Sequence, residues 1–152
     1  MKLIKTKHEH IDENYLELHY DRMDEETEAV LSRLRPALKY IEGTAEGRKL
    51  TLPLTDLFYF ESVDRKTFGY TKDTCMEVKE TLQGIIDEYE NAGFVRISKS
   101  SIVNLYKIQR LQGDLNMRTL IYLKNDECLV MNRGYRADFY KALQKLQGRK
   151  KL

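Results

Sequence analysis

The sequence has no tryptophan, two cysteines, two prolines and three histidines among its 152 residues. The histidines, His8, His10 and His19, all lie near the N-terminus. The rest of the chain therefore lacks the side chain that most often acts as a general base at neutral pH. His8 and His10 would share one face of a strand, but no cysteine or patterned carboxylate accompanies them, so we expect no metal site.

Short catalytic motifs are also missing. The chain has no phosphate-binding glycine loop, no dinucleotide fingerprint, no nucleophile elbow and no Cys-x-x-Cys pair. Acidic pairs such as Asp126 and Glu127 fall in turn-like segments, where solvated carboxylates are usual. We therefore expect a protein that is not an enzyme and that needs no cofactor.

Long hydrophobic runs are absent as well. No apolar stretch reaches the roughly 18 residues of a membrane span, and the first ten residues do not resemble a signal peptide. We expect a cytoplasmic chain without direct membrane insertion. Cys75 and Cys128 fall in strand-like patterns, and in that compartment we expect free thiols that serve as small core residues.

Charge is unevenly distributed along the chain. Residues 1–43 carry seven basic and ten acidic side chains, whereas residues 93–136 carry eight basic and three acidic ones. A local positive excess favours a polyanion as partner, although a solvated surface would give the same count.

The N-terminal part predicts a small extension. Residues 2–8 and 14–20 have the alternation of short strands, and a helix should follow from Asp24 and end or kink at Pro36. The glycine-containing stretch 42–48 is the best linker candidate. We therefore divide the chain into an extension of residues 1–45 and a domain of residues 46–148.

The larger part alternates mostly with the period of strands, which predicts a mainly β domain with few short helices. Hairpins should turn at Lys72–Asp73 and, through two residues, at Asn125–Asp126. Helical spacing is confined to residues 77–91 and to about 135–147.

Three segments, Phe58–Phe68, Phe94–Ile108 and Cys128–Leu143, place basic or hydrogen-bonding side chains where one element gives way to the next. Lysine and arginine side chains neutralise the phosphates of DNA. Serine, threonine and asparagine form hydrogen bonds with the DNA backbone, and arginine can also read the edge of a guanine base. The candidate DNA-binding residues are Arg65, Lys66, Thr67, Arg96, Ser98, Lys99, Ser100, Asn132, Arg133 and Arg136.

The "YFES" strand, the "RISKSSIVNL" stretch and the "NR" before the last helix resemble, in this order and spacing, the LytTR DNA-binding domain of bacterial transcriptional regulators. The resemblance covers about residues 46–146. It implies an elongated, mainly β domain, here preceded by a strand–strand–helix extension. It also implies loops that enter successive major grooves of double-stranded DNA, centred on Asp64–Thr67, Lys99 and Arg133.

Other matching positions have structural interpretations. Tyr59 and Phe60 should lie in the core, and Ile102, Val103 and Asn104 should support the second loop. Thr67 stands where some family members have a basic or imidazole side chain, so Arg65 or Lys66 would replace it in reading bases. The 45 residues before the domain are too few for a phosphoacceptor receiver domain, so we expect no such input.

The extension is too small to be stable alone. We expect it to mediate a homodimer on repeated sites or, alternatively, to dock a partner such as a membrane protein. Two other functions stay open for the domain. One is a LytTR-fold adaptor that binds proteins, and the other is a non-specific nucleic-acid-binding module.

Overall fold

The computed structural model describes residues 1–10, 15–89 and 91–150, and the contacts divide the chain into two compact units, Met1–Leu38 and Lys39–Leu152. The helices are α1 (Glu25–Leu38), α2 (Leu82–Glu88) and α3 (Arg136–Lys150). The strands are β1 (Tyr40–Ala45), β2 (Arg48–Pro53), β3 (Tyr59–Val63), β4 (Lys66–Tyr70), β5 (Cys75–Val78), β6 (Phe94–Ser98), β7 (Ser101–Asn104), β8 (Ile108–Gly113), β9 (Thr119–Leu123) and β10 (Cys128–Met131).

The first unit contains α1 as its one regular element in the described residues. The Asp24 carboxylate accepts a hydrogen bond from the Thr27 amide at 2.8 Å, which confirms Asp24 as the start of the helix. The helix continues past Pro36 to Leu38, so the proline does not end it. The two strands predicted at residues 2–8 and 14–20 are wrong for the described residues, because these have no strand partner (residues 11–14 are not described).

The second unit is mainly β, as predicted. Seven strands form one antiparallel sheet in the order β2-β1-β5-β4-β3-β7-β6, and three form a second sheet in the order β10-β9-β8. Neighbouring strands are mostly consecutive in the chain, because hairpins build both sheets.

The linker predicted at residues 42–48 is wrong. This stretch is a hairpin in which Ala45 pairs with Arg48 across a two-residue turn at Glu46 and Gly47. Both turn residues have positive φ, of 51° and 76°. A glycine that looks like a linker signal here serves the tight turn of a hairpin.

The first helix of this unit is shorter than the predicted 77–91. Val78 ends strand β5 and is buried, so its helical spacing with Leu82 was accidental. The helix begins only after Thr81, whose hydroxyl accepts a hydrogen bond from the Gly84 amide at 3.0 Å. The last helix begins at Arg136, close to the predicted 135.

Two hydrophobic cores lie on opposite faces of the seven-stranded sheet. One is centred on Phe60, Met76 and Ile102 and is covered by Leu82 and Ile85 of α2. The other joins Val103 and Ile97 to the three-stranded sheet and to α3. Phe60 is fully buried, as predicted, and Tyr59 is half-buried beside the second core.

The hairpin of β9 and β10 is confirmed, but its turn is longer than predicted. Three residues, Lys124 to Asp126, connect Leu123 with Glu127, and Asp126 takes the left-handed conformation at φ 69°.

Cys75 and Cys128 are free thiols, as expected, but both are exposed rather than part of the core, because they lie on outward faces of β5 and β10.

Candidate nucleic-acid interface

Two hydrogen bonds bring the three predicted loops together at one end of the strands. The Ser62 amide, at the end of β3, donates to the Ser100 carbonyl in the β6–β7 loop at 2.8 Å. The Asn132 amide, just after β10, donates to the Ile97 carbonyl of β6 at 3.0 Å. The loops after β3, after β6 and after β10 therefore form one continuous row.

The first loop is a two-residue turn between Val63 and Lys66. Asp64 and Arg65 have φ of 50° and 66°. The second of these positions usually belongs to glycine, and an arginine there costs on the order of 1 kcal/mol. Arg65 is exposed, and its side chain has no hydrogen-bond or ion-pair partner among the residues that the structure describes.

The other two predicted DNA-binding residues of the first loop are less accessible or less free than Arg65. Lys66 is exposed, with an ion pair to Glu77 at 3.8 Å that leaves 61% of its side chain accessible. Thr67 is only 7% exposed, because it faces the interior between β3 and β5. We therefore remove Thr67 from the proposed DNA contacts.

The second loop is held rigid by its own side chains. The Arg96 guanidinium donates to the Lys99 carbonyl at 2.9 Å. The Ser98 hydroxyl lies 2.6 Å from that of Ser101 and accepts from the Ser100 amide at 3.2 Å. Lys99, at the tip, is exposed and its side chain has no partner in the described part of the chain.

This geometry separates two roles among the predicted residues of the second loop. Lys99 and Ser100 are exposed and available to a ligand. Arg96 and Ser98 are partly buried and occupied within the loop, so they fix the position of Lys99.

The third loop begins at Asn132 and passes through a short 3-10 turn, Arg133–Tyr135, into α3. Asn132, Arg133 and Arg136 are all exposed. The Arg136 guanidinium lies 5.9 Å from the centre of the Tyr140 ring, a loose cation–π contact. The N-terminus of α3 adds its own preference for anions at this end of the sheets.

Asn104 is a buried polar residue at the end of β7. It is 2% exposed, its amide nitrogen donates to the Leu57 carbonyl at 2.7 Å, and its oxygen accepts from the Tyr106 amide at 3.1 Å. Ile102 and Val103 are fully buried. Ile102 and Val103 are therefore core positions, as predicted. Asn104 is structural too, but its hydrogen bonds lie at the end of β7 away from the second loop.

A tyrosine stack stiffens the strands behind the first loop. The rings of Tyr59 and Tyr70 lie 4.4 Å apart and nearly parallel. Burial, followed by the neighbouring Glu127 carboxylate, raises the pKa of Tyr59 above its ordinary value. Burial and the adjacent Cys75 thiol raise the pKa of Tyr70 to about 12. Both phenols therefore stay neutral at physiological pH.

A fourth turn at the same end was missed from the sequence. Residues Asp114–Arg118 connect β8 with β9, and β9 begins at Thr119, which pairs with Met131 just before the third loop. The polar surface pattern of β8 gave no strong strand signal, although the aspartate and asparagine at Asp114 and Asn116 are typical of a turn.

The described residues contain no group of histidine, cysteine, aspartate or glutamate side chains that could hold a metal ion. None of the described helices is long and apolar enough to cross a membrane.

The chain is similar to known proteins. Residues 47–144 match the family model described as the LytTr DNA-binding domain. Uncharacterized HTH-type transcriptional regulators of Staphylococcus aureus are similar: that of strain bovine RF122 / ET3-1 is 23% identical over 125 residues, which cover 81% of this chain and 84% of the relative. That of strain MRSA252 is 24% identical over the same coverage.

A solved structure shares the fold. It is the LytTr DNA-binding domain of a chain described as a methyl-accepting/DNA response regulator from Bacillus cereus. The TM-score is 0.65 at 23% identity, and the match covers 69% of this chain and 96% of the other.

Proposed function

Because the chain belongs to the LytTR DNA-binding domain family, we propose that it is a DNA-binding transcriptional regulator that reads a specific sequence. Its three exposed loops enter successive major grooves of the duplex, with Arg65, Lys99 and Arg133 at their tips. The protein is not an enzyme and acts in the bacterial cytoplasm, where its DNA lies.

The observation that carries this proposal is the row of loops joined by the Ser62–Ser100 and Asn132–Ile97 hydrogen bonds. This row places the exposed side chains of Arg65, Lys99 and Arg133 in neighbouring loops at one end of the strands. Exposed lysine and arginine side chains supply phosphate contacts, and an unpaired arginine is free to hydrogen-bond a guanine edge. The three described helices are separated by strands, so the proposed contact is made by loops and by no helix-turn-helix.

The test begins with selection of binders from a random pool of labelled duplexes, followed by fluorescence anisotropy at about 50 and 200 mM salt. A specific regulator enriches one site, and its affinity falls steeply with salt. Lys99→Ala and Arg133→Ala should each weaken binding by about 1–3 kcal/mol if they read bases.

Lys72→Ala is the matched control, because Lys72 is an exposed lysine in the β4–β5 turn at the opposite end of the strands. It should leave affinity unchanged. Binding without enrichment of any sequence would instead indicate a non-specific nucleic-acid-binding module. No binding at low salt would favour a LytTR-fold adaptor for proteins.

We also propose that the chain acts as a homodimer on repeated sites, with the first unit, Met1–Leu38, as the dimerising extension. Residues 40–45, predicted from the sequence as the end of this extension, form β1 and pair with β2 and β5, so they belong to the sheet of the second unit. Exposed apolar side chains in the first unit support the homodimer, among them Leu16 and Tyr20. Docking of a membrane-protein partner is the alternative role of the same segment, and a monomer in equilibrium sedimentation would favour it.

A further inference from the structure

The turn Asp114–Arg118 extends the row of loops. Beyond the pair of Thr119 with Met131, the next residues on the two strands are Arg118 and Asn132, the first residue of the third loop. Neighbouring strands are separated by about 4.8 Å, so the centre of the turn lies roughly 7 Å from β10. A fourth element therefore faces the same side as the three basic loops.

The turn is rigid. One Asp114 carboxylate oxygen accepts from the amides of Asn116 and Arg118, both at 2.9 Å. The other contacts the Arg118 guanidinium at 2.9 and 3.0 Å. Burial raises the pKa of Asp114, but these hydrogen bonds outweigh it and hold the pKa below its ordinary value. The carboxylate charge is thus paired within the turn.

The tip of this turn is apolar, which is unusual for a hairpin. Leu115 is fully exposed, and Met117 is 57% exposed at φ 61°, a conformation that favours glycine or asparagine. A rigid turn that holds two apolar side chains in solvent breaks a local rule of sequence design. Such departures occur at functional sites.

We propose that this turn is a fourth DNA-contacting element, in which Leu115 packs against the sugars of the minor groove next to the base pairs that the third loop reads. The inference rests on the proposed function. A step of roughly 7 Å from β10 leads from a major groove, about 12 Å wide, across its edge towards the neighbouring minor groove. Leucine and methionine are among the side chains that proteins place there.

The positive charge near this tip, and the position of the tip beside the third loop, favour DNA over a protein as the partner. Arg133 and Arg136 are exposed next to it, and 47% of the Arg118 side chain remains accessible beside its ion pair. An apolar tip at the same end of the strands as these arginines fits a groove wall of sugars between phosphates. The contact adds affinity but does not change the salt dependence of binding, because leucine neutralises no phosphate and releases no counterions.

The experiment compares the full chain with Leu115→Ser on the selected duplex, by anisotropy and by hydroxyl-radical footprinting, which detects sugars covered in the minor groove. Leu115 makes no packing contact, so circular dichroism should show an unchanged fold. We expect roughly tenfold weaker binding, the effect of losing one buried leucine contact, with an unchanged salt slope. A patch of protected sugars should disappear next to the site that Arg133→Ala weakens.

Val130→Ser removes an apolar side chain, 39% exposed, from the outward face of β10 and should change neither the affinity nor the footprint. If Leu115→Ser binds and protects DNA like the unaltered chain, the fourth contact is wrong while the proposed function stands. If it changes only the sedimentation of the protein, the tip contacts protein instead. If the unaltered chain binds no duplex, the proposed function itself fails.

Discussion

At the scale of single residues, Asn104 shows how a buried polar side chain can fix strands that carry binding loops at their other ends. It lies in the interior, where an unpaired polar group is costly, and both ends of its amide are satisfied by the backbone. The bonds join Leu57, before β3, to Tyr106, after β7. Asn104 thereby fixes two strands whose other ends carry the first and second loops.

Asn104→Ala should destabilise the fold by about 2–3 kcal/mol, because the buried Leu57 carbonyl loses its donor and a cavity forms in the interior. Chemical denaturation followed by circular dichroism measures this. Asn104→Asp should also be destabilising, since a carboxylate cannot donate to the Leu57 carbonyl. Asn116→Ala, at an exposed position, should change stability by less than about 0.5 kcal/mol. Equal effects of the Asn104 and Asn116 variants would contradict this role.

Single positions also show where sequence reasoning about the site is limited. The exposure of Arg65, Lys99 and Arg133 could be predicted, because charged residues between regular elements are usually exposed. The burial of Thr67 could not, since it depends on which face of β4 meets the interior. The internal hydrogen bonds of Arg96 and Ser98 likewise depend on the turn geometry, which residue types alone do not determine.

At the scale of elements, the β6–β7 hairpin is the clearest unit of the candidate site. A register irregularity between Arg96 and Ser98 twists the end of β6, and the two-residue tip carries Lys99. Ser98 stabilises the tip through the Ser100 amide and the Ser101 hydroxyl. Its contribution to DNA binding should therefore be indirect.

Ser98→Ala should weaken binding to the selected duplex severalfold, because the tip that carries Lys99 loses two internal hydrogen bonds. The salt slope should stay unchanged, since no phosphate contact is removed. Lys99→Ala should reduce the slope by about one if Lys99 contacts a phosphate. Anisotropy titrations across a salt series measure both values. Unchanged affinity of Ser98→Ala would contradict this indirect role. A reduced slope would mean that the loosened tip also loses a Lys99 contact to phosphate, because a neutral hydroxyl releases no counterions.

Hairpins were the elements that the sequence predicted best. Alternation and turn residues locate β4–β5 and β9–β10, since both signals are local. The helix at residues 77–91 was predicted too long, because a buried strand residue such as Val78 can mimic helical spacing. The strands predicted at 2–8 and 14–20 failed for a related reason: alternation is necessary for a strand, but a strand also needs a partner to supply hydrogen bonds.

At the scale of the whole molecule, the exposed apolar residues of the first unit have a bearing on assembly. Leu3, Ile4, Leu16 and Tyr20 are each more than half exposed, in segments whose backbone has no strand partner in the described residues. A unit of 38 residues buries too little apolar surface to be stable alone. A second copy would supply both a partner strand and an apolar face.

Equilibrium sedimentation of the full chain at tens of micromolar should therefore give twice the monomer mass of 18.0 kDa. Leu16→Ser should shift the equilibrium towards the monomer, because it places a hydroxyl in the apolar contact. It should also weaken binding to a duplex with two copies of the selected site more than to one with a single copy. Lys7→Ser, in the same unit and equally exposed, is the control that should leave the mass unchanged. A monomer for the unaltered chain would overturn the homodimer, and binding to a membrane-protein partner would become the role to test for the first unit.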